Sequence, residues 1–221
     1  MHAAIRRNHA DAAIINARQV FALLKQPLNP PIMPMPWICS LAAPTHPNAY
    51  TDGSWQFPLA RYFSLGGAGV WWPSRCLGRH RASDAELKLA YIQQTSDGVH
   101  LATHIGGYHG SSTRTELAAG IIALSAHGPV HLASDSEAFV NQANSILTAI
   151  PNGSNTRRCW ATTSDGDLWY HFEQAATIKG PHSIRITWVK GHATDAHVDA
   201  GVTTRANQLG NALFRVSVRE Y

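Results

Sequence analysis

The stretch Tyr50-Thr51-Asp52-Gly53-Ser54 places a carboxylate at the end of a predicted strand, immediately before a polar turn. Two other acids have equally distinctive surroundings: Glu116 lies within a predicted helix, and Asp135 follows an apolar run at residues 130–134. These elements can bring the three side chains together although they are far apart in the sequence. Because converging carboxylates repel one another unless a cation neutralises them, the pattern predicts a site for Mg2+, with Mn2+ as the other candidate. Chemistry on phosphates is the usual use of such a site.

The composition limits the class of protein. The chain has 221 residues, of which 44% are hydrophobic, enough for one domain with its own core plus an extension. Its formal net charge of +4 is compatible with a polyanionic partner. No apolar run approaches the ~20 residues that a membrane-spanning helix needs, so no membrane partner is expected.

The cysteines indicate the redox environment. Cys39, Cys76 and Cys159 are odd in number, widely spaced and in no CxxC pair. This spacing argues against a disulfide scaffold or a zinc ribbon. We therefore expect an intracellular, reducing compartment, cytoplasm or nucleus, with an organelle as the alternative.

Three segments follow one another along the chain. Residues 1–26 are rich in alanine and have apolar residues at three- and four-residue steps, which predicts an amphipathic helix. This helix would be a docking segment or the remnant of a longer polypeptide, and an organellar transit peptide is the other interpretation. Residues 27–47 are rich in proline and predict a stiff linker. Residues 48–221 form the predicted folded domain.

The pattern of this domain predicts an α/β fold. Alternating and apolar runs predict strands, and apolar residues at helical spacing predict helices. The predicted strands are 48–54, 66–72, a third strand region within 87–105, 130–134 and 183–190. The predicted helices are 113–126, 138–149 and 169–178, followed by a final helix near the C-terminus. Thr113, three residues before Glu116, is the expected N-terminal cap of the first of these helices.

The order and settings of four residues resemble those of the ribonuclease H domain. They are Asp52, Glu116, Asp135 and His192, the last in Trp188-Val189-Lys190-Gly191-His192. The resemblance covers roughly residues 48–215 and is to the type 1 branch, which includes the ribonuclease H parts of reverse transcriptases. It implies a mixed five-stranded sheet flanked by helices. It also implies a metal-dependent endoribonuclease that cleaves the RNA strand of RNA–DNA hybrids by two-metal-ion hydrolysis.

The resemblance also implies a role for individual residues. Asp52, Glu116 and Asp135 would bind Mg2+ or Mn2+, and His192 would assist proton transfer or product release from a mobile loop. Direct contact with the nucleic acid is implied for small residues next to these acids, namely the backbone amides of Gly53 and Ser54 and the side chains of Ser112, Thr113 and Ser136. Phosphate contacts are the expected role of Arg114, Lys190 and Arg205. Trp188 is expected to lie in the core.

The chain departs from the family at the fourth acid. The family normally has a carboxylate in a segment resembling G-N-x-x-A-D, and here Gly210-Asn211 is followed by Arg215 at the acidic position. If the spacing from His192 sets the register instead, Asn207 occupies this position. We favour Arg215, because residues 193–204 resemble an insertion. The missing acid leaves an alternative function: a catalytically degenerate module that binds nucleic acid or protein partners, the latter through the N-terminal helix or within a larger polypeptide.

Overall fold

The computed structural model describes residues 36–60, 63–107, 111–152 and 160–209. The predicted helix at residues 1–26, residues 27–35 of the predicted linker, and Arg215 lie outside these ranges. Within the described residues, no helix is both long enough and apolar enough to cross a membrane.

The core of the molecule is a mixed six-stranded sheet in the order β3-β4-β2-β1-β5-β6. The pairings of β3 with β4, β4 with β2 and β2 with β1 are antiparallel. The pairings of β1 with β5 and of β5 with β6 are parallel. The strands are β1 (Ala49–Ala60), β2 (Phe63–Trp72), β3 (Tyr91–Thr95), β4 (Gly98–Gly107), β5 (Val130–Ser134) and β6 (Ile184–Trp188). Every residue of β5 is buried, including His131 and Ser134, whose side chains are hydrogen-bonded.

Helices flank this sheet. They are α1 (Asp84–Leu89), α2 (Ser112–Leu124), α3 (Glu137–Ala149), α4 (Gly166–Lys179) and α5 (Asp195–Asp199), and a further helix begins at Arg205. Helix α2 is buried from Thr115 to Leu124, because β1 and β2 contact it on one side and α3 and α4 on the other. A helix enclosed in this way needs small and apolar residues all round, as the run of Leu, Ala, Gly and Ile in α2 provides.

The predicted fold class is confirmed, but the sheet has six strands where five were expected. The predicted third strand region contains two strands, β3 and β4, joined by the turn at Thr95-Ser96-Asp97-Gly98. Leu87, which the prediction placed in a strand, belongs to α1. A capping box starts that helix, in which Ser83 and Glu86 bond each other's backbone N–H groups. The extra strand β3 lies at the edge of the sheet beside β4.

Two local predictions near the acidic residues were wrong. Asp52 does not end its strand, because β1 continues to Ala60 and pairs with β2 beyond this residue. The N-terminal cap of α2 is Ser111 rather than Thr113. The Ser111 hydroxyl accepts a hydrogen bond from the backbone N–H of Arg114, so the helix starts one residue earlier than predicted.

The C-terminal end of α2 is held by buried polar groups. The Lys179 ammonium donates to the carbonyl oxygen of Ala126 at 2.6 Å, and the Ser83 hydroxyl donates to that of Ser125 at 2.6 Å. Nearby, Glu86 accepts two hydrogen bonds from Arg75, at 2.5 and 2.8 Å. Lys179 is fully buried, and burial lowers its pKa to about 8, although Cys39 and Glu86 oppose this shift. A cation at the carbonyl end of a helix is favourable, but this one is costly to bury.

The low pKa of Lys179 predicts a pH dependence of stability. Between about pH 8 and 10.5 the unfolded chain holds a proton on this lysine that the folded protein has lost, so folding becomes more favourable as the pH rises. Lys179→Met removes this dependence. Relative to the variant, we expect the wild-type free energy of unfolding to increase by at most about 3 kcal/mol between pH 7.5 and 10.5, measured by urea denaturation. The exposed Lys88→Met is the control, and parallel curves for wild type and Lys179→Met would refute the prediction.

Candidate active site

The Glu116 carboxylate lies between β1 and β5 and is 4% exposed. It accepts a hydrogen bond at 2.5 Å from the backbone N–H of Gly53, next to Asp52. It also accepts one at 2.9 Å from the hydroxyl of Ser134, next to Asp135. The Thr51 hydroxyl donates a third at 3.1 Å. The side chain from the helix therefore connects the two strands at the positions that carry the other two acids.

This contact requires α2 to approach the sheet very closely, and two glycines allow it. A Cβ atom at Gly53 would lie 2.8 Å from the Thr115 Cβ and 2.9 Å from the backbone nitrogen of Glu116. At Gly66 on β2, a Cβ would collide with the Thr115 methyl group. Thr115 thus sits where two strands lack side chains, and the next residue, Glu116, reaches the backbone of β1.

The parallel pairing of β1 and β5 aligns Asp52 with Asp135. Tyr50 pairs with Ala133, so each aspartate comes two residues after a paired position and at the same level of the sheet. The loop after β6 closes over Asp135. A Cβ on Gly191 would lie 2.5 Å from the Asp135 Oδ2 atom and 3.1 Å from its Cγ atom, so a larger residue would displace the Asp135 side chain. The structure therefore brings Asp52, Glu116 and Asp135 to one region.

The electrostatics reflect this convergence. The pKa of Glu116 is raised to about 7, first by burial and then by the negative charges of Asp135 and Asp52. The hydrogen bonds from Ser134 and Gly53 act in the opposite direction by stabilising the carboxylate. Without a cation, part of the Glu116 population is thus neutral at physiological pH, because its negative charge is poorly accommodated.

The donor set fits a hard divalent cation by its chemistry. Three carboxylates supply oxygen ligands of the kind that Mg2+ and Mn2+ prefer, and their mutual repulsion is what a cation would relieve. Among the described residues, no three His, Cys, Asp or Glu side chains are already arranged to hold a metal ion. Both Glu116 oxygens accept hydrogen bonds from protein donors. Asp52, Glu116 and Asp135 are the residues that could hold a metal, which stays a prediction.

His192 follows Gly191 in the loop that covers Asp135. Its backbone adopts a left-handed conformation with φ of 52°, which is uncommon for a residue other than glycine. The side chain is exposed, and α5 begins three residues later. Trp188, the last residue of β6, also lies at the site: its indole N–H donates to the Asp135 carbonyl oxygen at 3.1 Å, and the side chain is 47% exposed. The expectation that Trp188 lies in the core was wrong.

The residues predicted to contact nucleic acid lie around the acids but differ in exposure and in the hydrogen bonds that they already make. The Gly53 N–H is donated to Glu116, so the predicted contact of this amide with a phosphate does not match the structure. Ser54 is half-buried on β1, and Ser136 caps α3 by accepting from the Phe139 N–H at 3.4 Å. Ser112 is exposed and Thr113 half-buried in the first turn of α2.

The expected phosphate contact through Arg114 also does not match the structure. Its guanidinium donates to both carboxylate oxygens of Asp167, at 2.8 and 2.7 Å, and to Asp165 at 3.3 Å. These bonds raise the pKa of Arg114, with Asp167 as the largest cause, and the bond from Arg114 lowers the pKa of Asp167. Arg205 forms an ion pair with Asp195 on the surface.

Asn207 is the only one of the two candidates for the fourth acidic position that the described ranges include. Its side-chain oxygen accepts a hydrogen bond from the Tyr50 hydroxyl at 3.2 Å. Tyr50 lies two residues before Asp52 on β1, so the two side chains leave the strand on the same face. The helix that begins at Arg205 therefore runs near the acidic site, as the resemblance implies for the final helix.

Sequence reasoning missed several residues that hold the site together. The supports of Glu116 are Thr51 and Ser134, and those of Arg114 are Ser111, Asp165 and Asp167. Ser134 had a signal, because it is a polar residue inside an otherwise apolar buried strand, where its hydroxyl needs a partner. No signal in the sequence marked Asp165 and Asp167 as partners of Arg114, because about fifty residues separate them from it.

Comparison with solved structures finds similar folds at low identity. The protease–reverse transcriptase of prototype foamy virus is 18% identical, with a TM-score of 0.43 over 80% of this chain and 22% of that chain. LC9-RNase H1, a type 1 RNase H with the type 2 active-site motif, is 16% identical, with a TM-score of 0.39 over 81% of this chain and 74% of that chain. RNase H1 from the halophilic archaeon Halobacterium salinarum is 17% identical, with a TM-score of 0.34 over 69% of this chain and 90% of that chain. The chain thus spans about a fifth of the foamy virus chain. A search of curated proteins gives no significant match.

Comparison with protein families gives a more decisive result. The sequence model of the RNase H family matches residues 46–208, well over half of the 221 residues. The match includes all three converging carboxylates, the glycines that allow α2 to approach the sheet, and the loop with His192. This chain belongs to the ribonuclease H family.

Proposed function

We propose that the protein is a metal-dependent endoribonuclease that cleaves the RNA strand of RNA–DNA hybrids. One observation carries the proposal. Glu116 on α2 is hydrogen-bonded both to the residue after Asp52 and to the residue before Asp135, so three acids on three elements meet at one point. Family membership supplies the reaction class, since RNase H enzymes hydrolyse phosphodiesters with divalent metals.

The residues of the site would have different roles. Asp52, Glu116 and Asp135 would bind two Mg2+ ions, with Mn2+ as a substitute, and the bound metals would stabilise charge on the attacking and leaving oxygens. Ser112 and Thr113 face outward at the start of α2, where small polar side chains suit contact with 2′-hydroxyls in a minor groove. The exposed imidazole of His192 would carry a proton near the leaving group or assist product release.

The first prediction concerns catalysis. Asp52→Asn removes one ligand and one negative charge, so we expect the cleavage rate to fall by at least on the order of 100-fold. Binding of the hybrid should be unchanged or tighter, because repulsion of the phosphates decreases. The measurement uses a labelled RNA–DNA hybrid with Mg2+, with Mn2+ and with EDTA, and hybrid affinity is measured separately by fluorescence anisotropy.

Two controls make this assay decisive. A contaminating nuclease would be unaffected by Asp52→Asn, and Lys88→Met, an exposed change on α1, should behave as wild type. Metal-dependent cutting that persists in Asp52→Asn would refute the assigned role. A folded wild-type protein that never cuts would refute the proposed activity.

The second prediction concerns Glu116 in the absence of metal. Since its pKa in the folded protein is about 7 and its ordinary value is 4.5, the folded state binds more protons between these values. Stability in EDTA should therefore fall as the pH rises from 5 to 8, by at most about 3 kcal/mol. Glu116→Gln lacks this dependence, and its amide can still accept from Gly53 and donate to the Thr51 or Ser134 hydroxyl.

The measurement is the melting temperature of both proteins between pH 5 and pH 8 in EDTA, followed by addition of Mg2+ at pH 8. Wild type should lose stability relative to Glu116→Gln as the pH rises, and Mg2+ should restore it. A difference between the two proteins that does not change with pH would contradict the prediction.

The alternative function is a degenerate module that binds nucleic acid or protein without cutting. The observation that favours it is the absence of an acid at either candidate fourth position, since Asn207 is engaged by Tyr50 and Arg215 carries a positive charge. A protein partner would bind through the predicted N-terminal helix or within a larger polypeptide. For either function we propose an intracellular, reducing compartment, on the basis of the cysteine spacing.

The third prediction separates the two registers. Arg215→Asp replaces a repulsive charge by a carboxylate ligand, so we expect the Mg2+-dependent cleavage rate to rise several-fold. Asn207→Asp is the matched comparison and should change the rate little, because the Tyr50 hydroxyl holds its oxygen. A gain in Asn207→Asp alone would show that Asn207 occupies the fourth position. No gain in either folded variant would refute both registers.

A further inference from the structure

Arg114 connects the start of α2 to the start of α4 by a closed set of hydrogen bonds. Its guanidinium donates to Asp165 and Asp167, while its backbone N–H donates to the Ser111 hydroxyl at 3.0 Å. That hydroxyl donates in turn to the second oxygen of Asp165 at 2.9 Å. Every member of this set lies within three residues of a helix N-terminus. We call these four residues the brace.

The side chain of Asp165 forms hydrogen bonds with residues at the start of α2 rather than with its own helix, α4. Asp165 occupies the N-cap position of α4 in a left-handed conformation with φ of 55°, yet its side chain makes no capping bond to α4. An aspartate at this position would ordinarily bond the first N–H groups of its helix. Here it accepts from Ser111 and Arg114 instead. An unfavourable backbone conformation that persists at a defined contact indicates a role for that contact.

The charges of the brace are favourable at a place where the N-termini of two helices lie close together. The N-terminus of each helix carries partial positive charge, and Arg114 adds a full one. Asp165 and Asp167 neutralise this accumulation. The Arg114 side chain is 12% exposed and that of Asp165 is 7% exposed, so the pair is largely shielded from solvent. Its electrostatic interaction is therefore screened less by solvent and salt than that of an ordinary surface ion pair.

The brace lies on the opposite side of α2 from the acidic site. Glu116 follows Arg114 by two residues, about 200° around the helix, and it faces the strands while Arg114 faces α4. The helix is thus fixed from both sides within its first turn and a half. Ser112 and Thr113, which lie between the capping residue and Arg114, are fixed by the same contacts.

We propose that Arg114 is a positioning residue. By joining α2 to Asp165 and Asp167, it sets where Glu116 stands relative to Asp52 and Asp135. The catalytic consequence of this inference rests on the proposed function, whereas its structural consequence does not. The two-pronged shape of the guanidinium is essential to it, because a lysine ammonium can donate to one carboxylate but cannot span two in a fixed plane.

The test compares Arg114→Lys with a matched control, Arg75→Lys. Arg75 also makes a two-pronged, largely buried contact with a carboxylate, that of Glu86, but in the segment between β2 and β3. Both variants keep the positive charge, and both are assayed at a temperature where circular dichroism shows them folded. Asp167→Asn is a second, milder variant, since Asp167 is 61% exposed and its loss threatens folding less.

Two readouts are combined, steady-state cleavage of an RNA–DNA hybrid and amide hydrogen exchange. We expect kcat of Arg114→Lys to fall about tenfold or more, because small displacements of reacting groups are costly, with KM within about threefold of wild type. Arg75→Lys should keep the wild-type kcat. Exchange at the amides of residues 113–117 should accelerate in Arg114→Lys, and in Asp167→Asn to a smaller extent, but not in Arg75→Lys.

Each outcome decides one of the two proposals. If wild type cuts and Arg114→Lys keeps its kcat, or if both Arg→Lys variants lose kcat equally, the positioning role is refuted. If wild type does not cut, the proposed function fails, and the brace is then judged by exchange alone. Faster exchange confined to residues 113–117 in the Arg114 and Asp167 variants would support it, and exchange identical to that of Arg75→Lys would overturn it.

Discussion

The burial of one carboxylate, that of Glu116, organises the rest of this structure. A buried carboxylate must be hydrogen-bonded, and this one takes its donors from two strands, through Gly53 and Thr51 on β1 and Ser134 on β5. These bonds require α2 to lie almost in contact with the sheet, which only glycine permits at residues 53 and 66. The position of the helix, the glycines of the sheet and the burial of the acid therefore depend on one another.

The same arrangement is electrostatically unfavourable. Desolvation and the charges of Asp135 and Asp52 raise the pKa of Glu116, so folding places mutually repelling groups together. Stability given up at a site in this way is typical of residues that act on a ligand, because the ligand relieves the repulsion.

Helix α2 is held at both ends by buried ionic groups with different tasks. At its C-terminus the ammonium of Lys179 caps the Ala126 carbonyl, far from the acids. At its N-terminus the brace holds the helix from the side opposite Glu116. A helix of thirteen residues fixed at both ends and pressed against two glycines has little freedom to shift along the sheet. Precise placement of a functional side chain needs this kind of support from residues that touch no ligand.

Local sequence determined the elements and their contents. The short, mostly apolar run at residues 130–134 predicted β5 to the residue. Helical spacing predicted α2, α3 and α4 within a few residues, and the order of Asp52, Glu116, Asp135 and His192 indicated the family. Only the tertiary structure decided the sixth strand, the cap at Ser111, the exposure of Trp188 and the partners of Arg114. Each of these depends on contacts between residues far apart in the chain: Trp188 with Asp135, and Arg114 with Asp165 and Asp167. Periodicity records which side of an element is buried, but it does not record which distant side chain will lie beside it, because that depends on how the elements pack together.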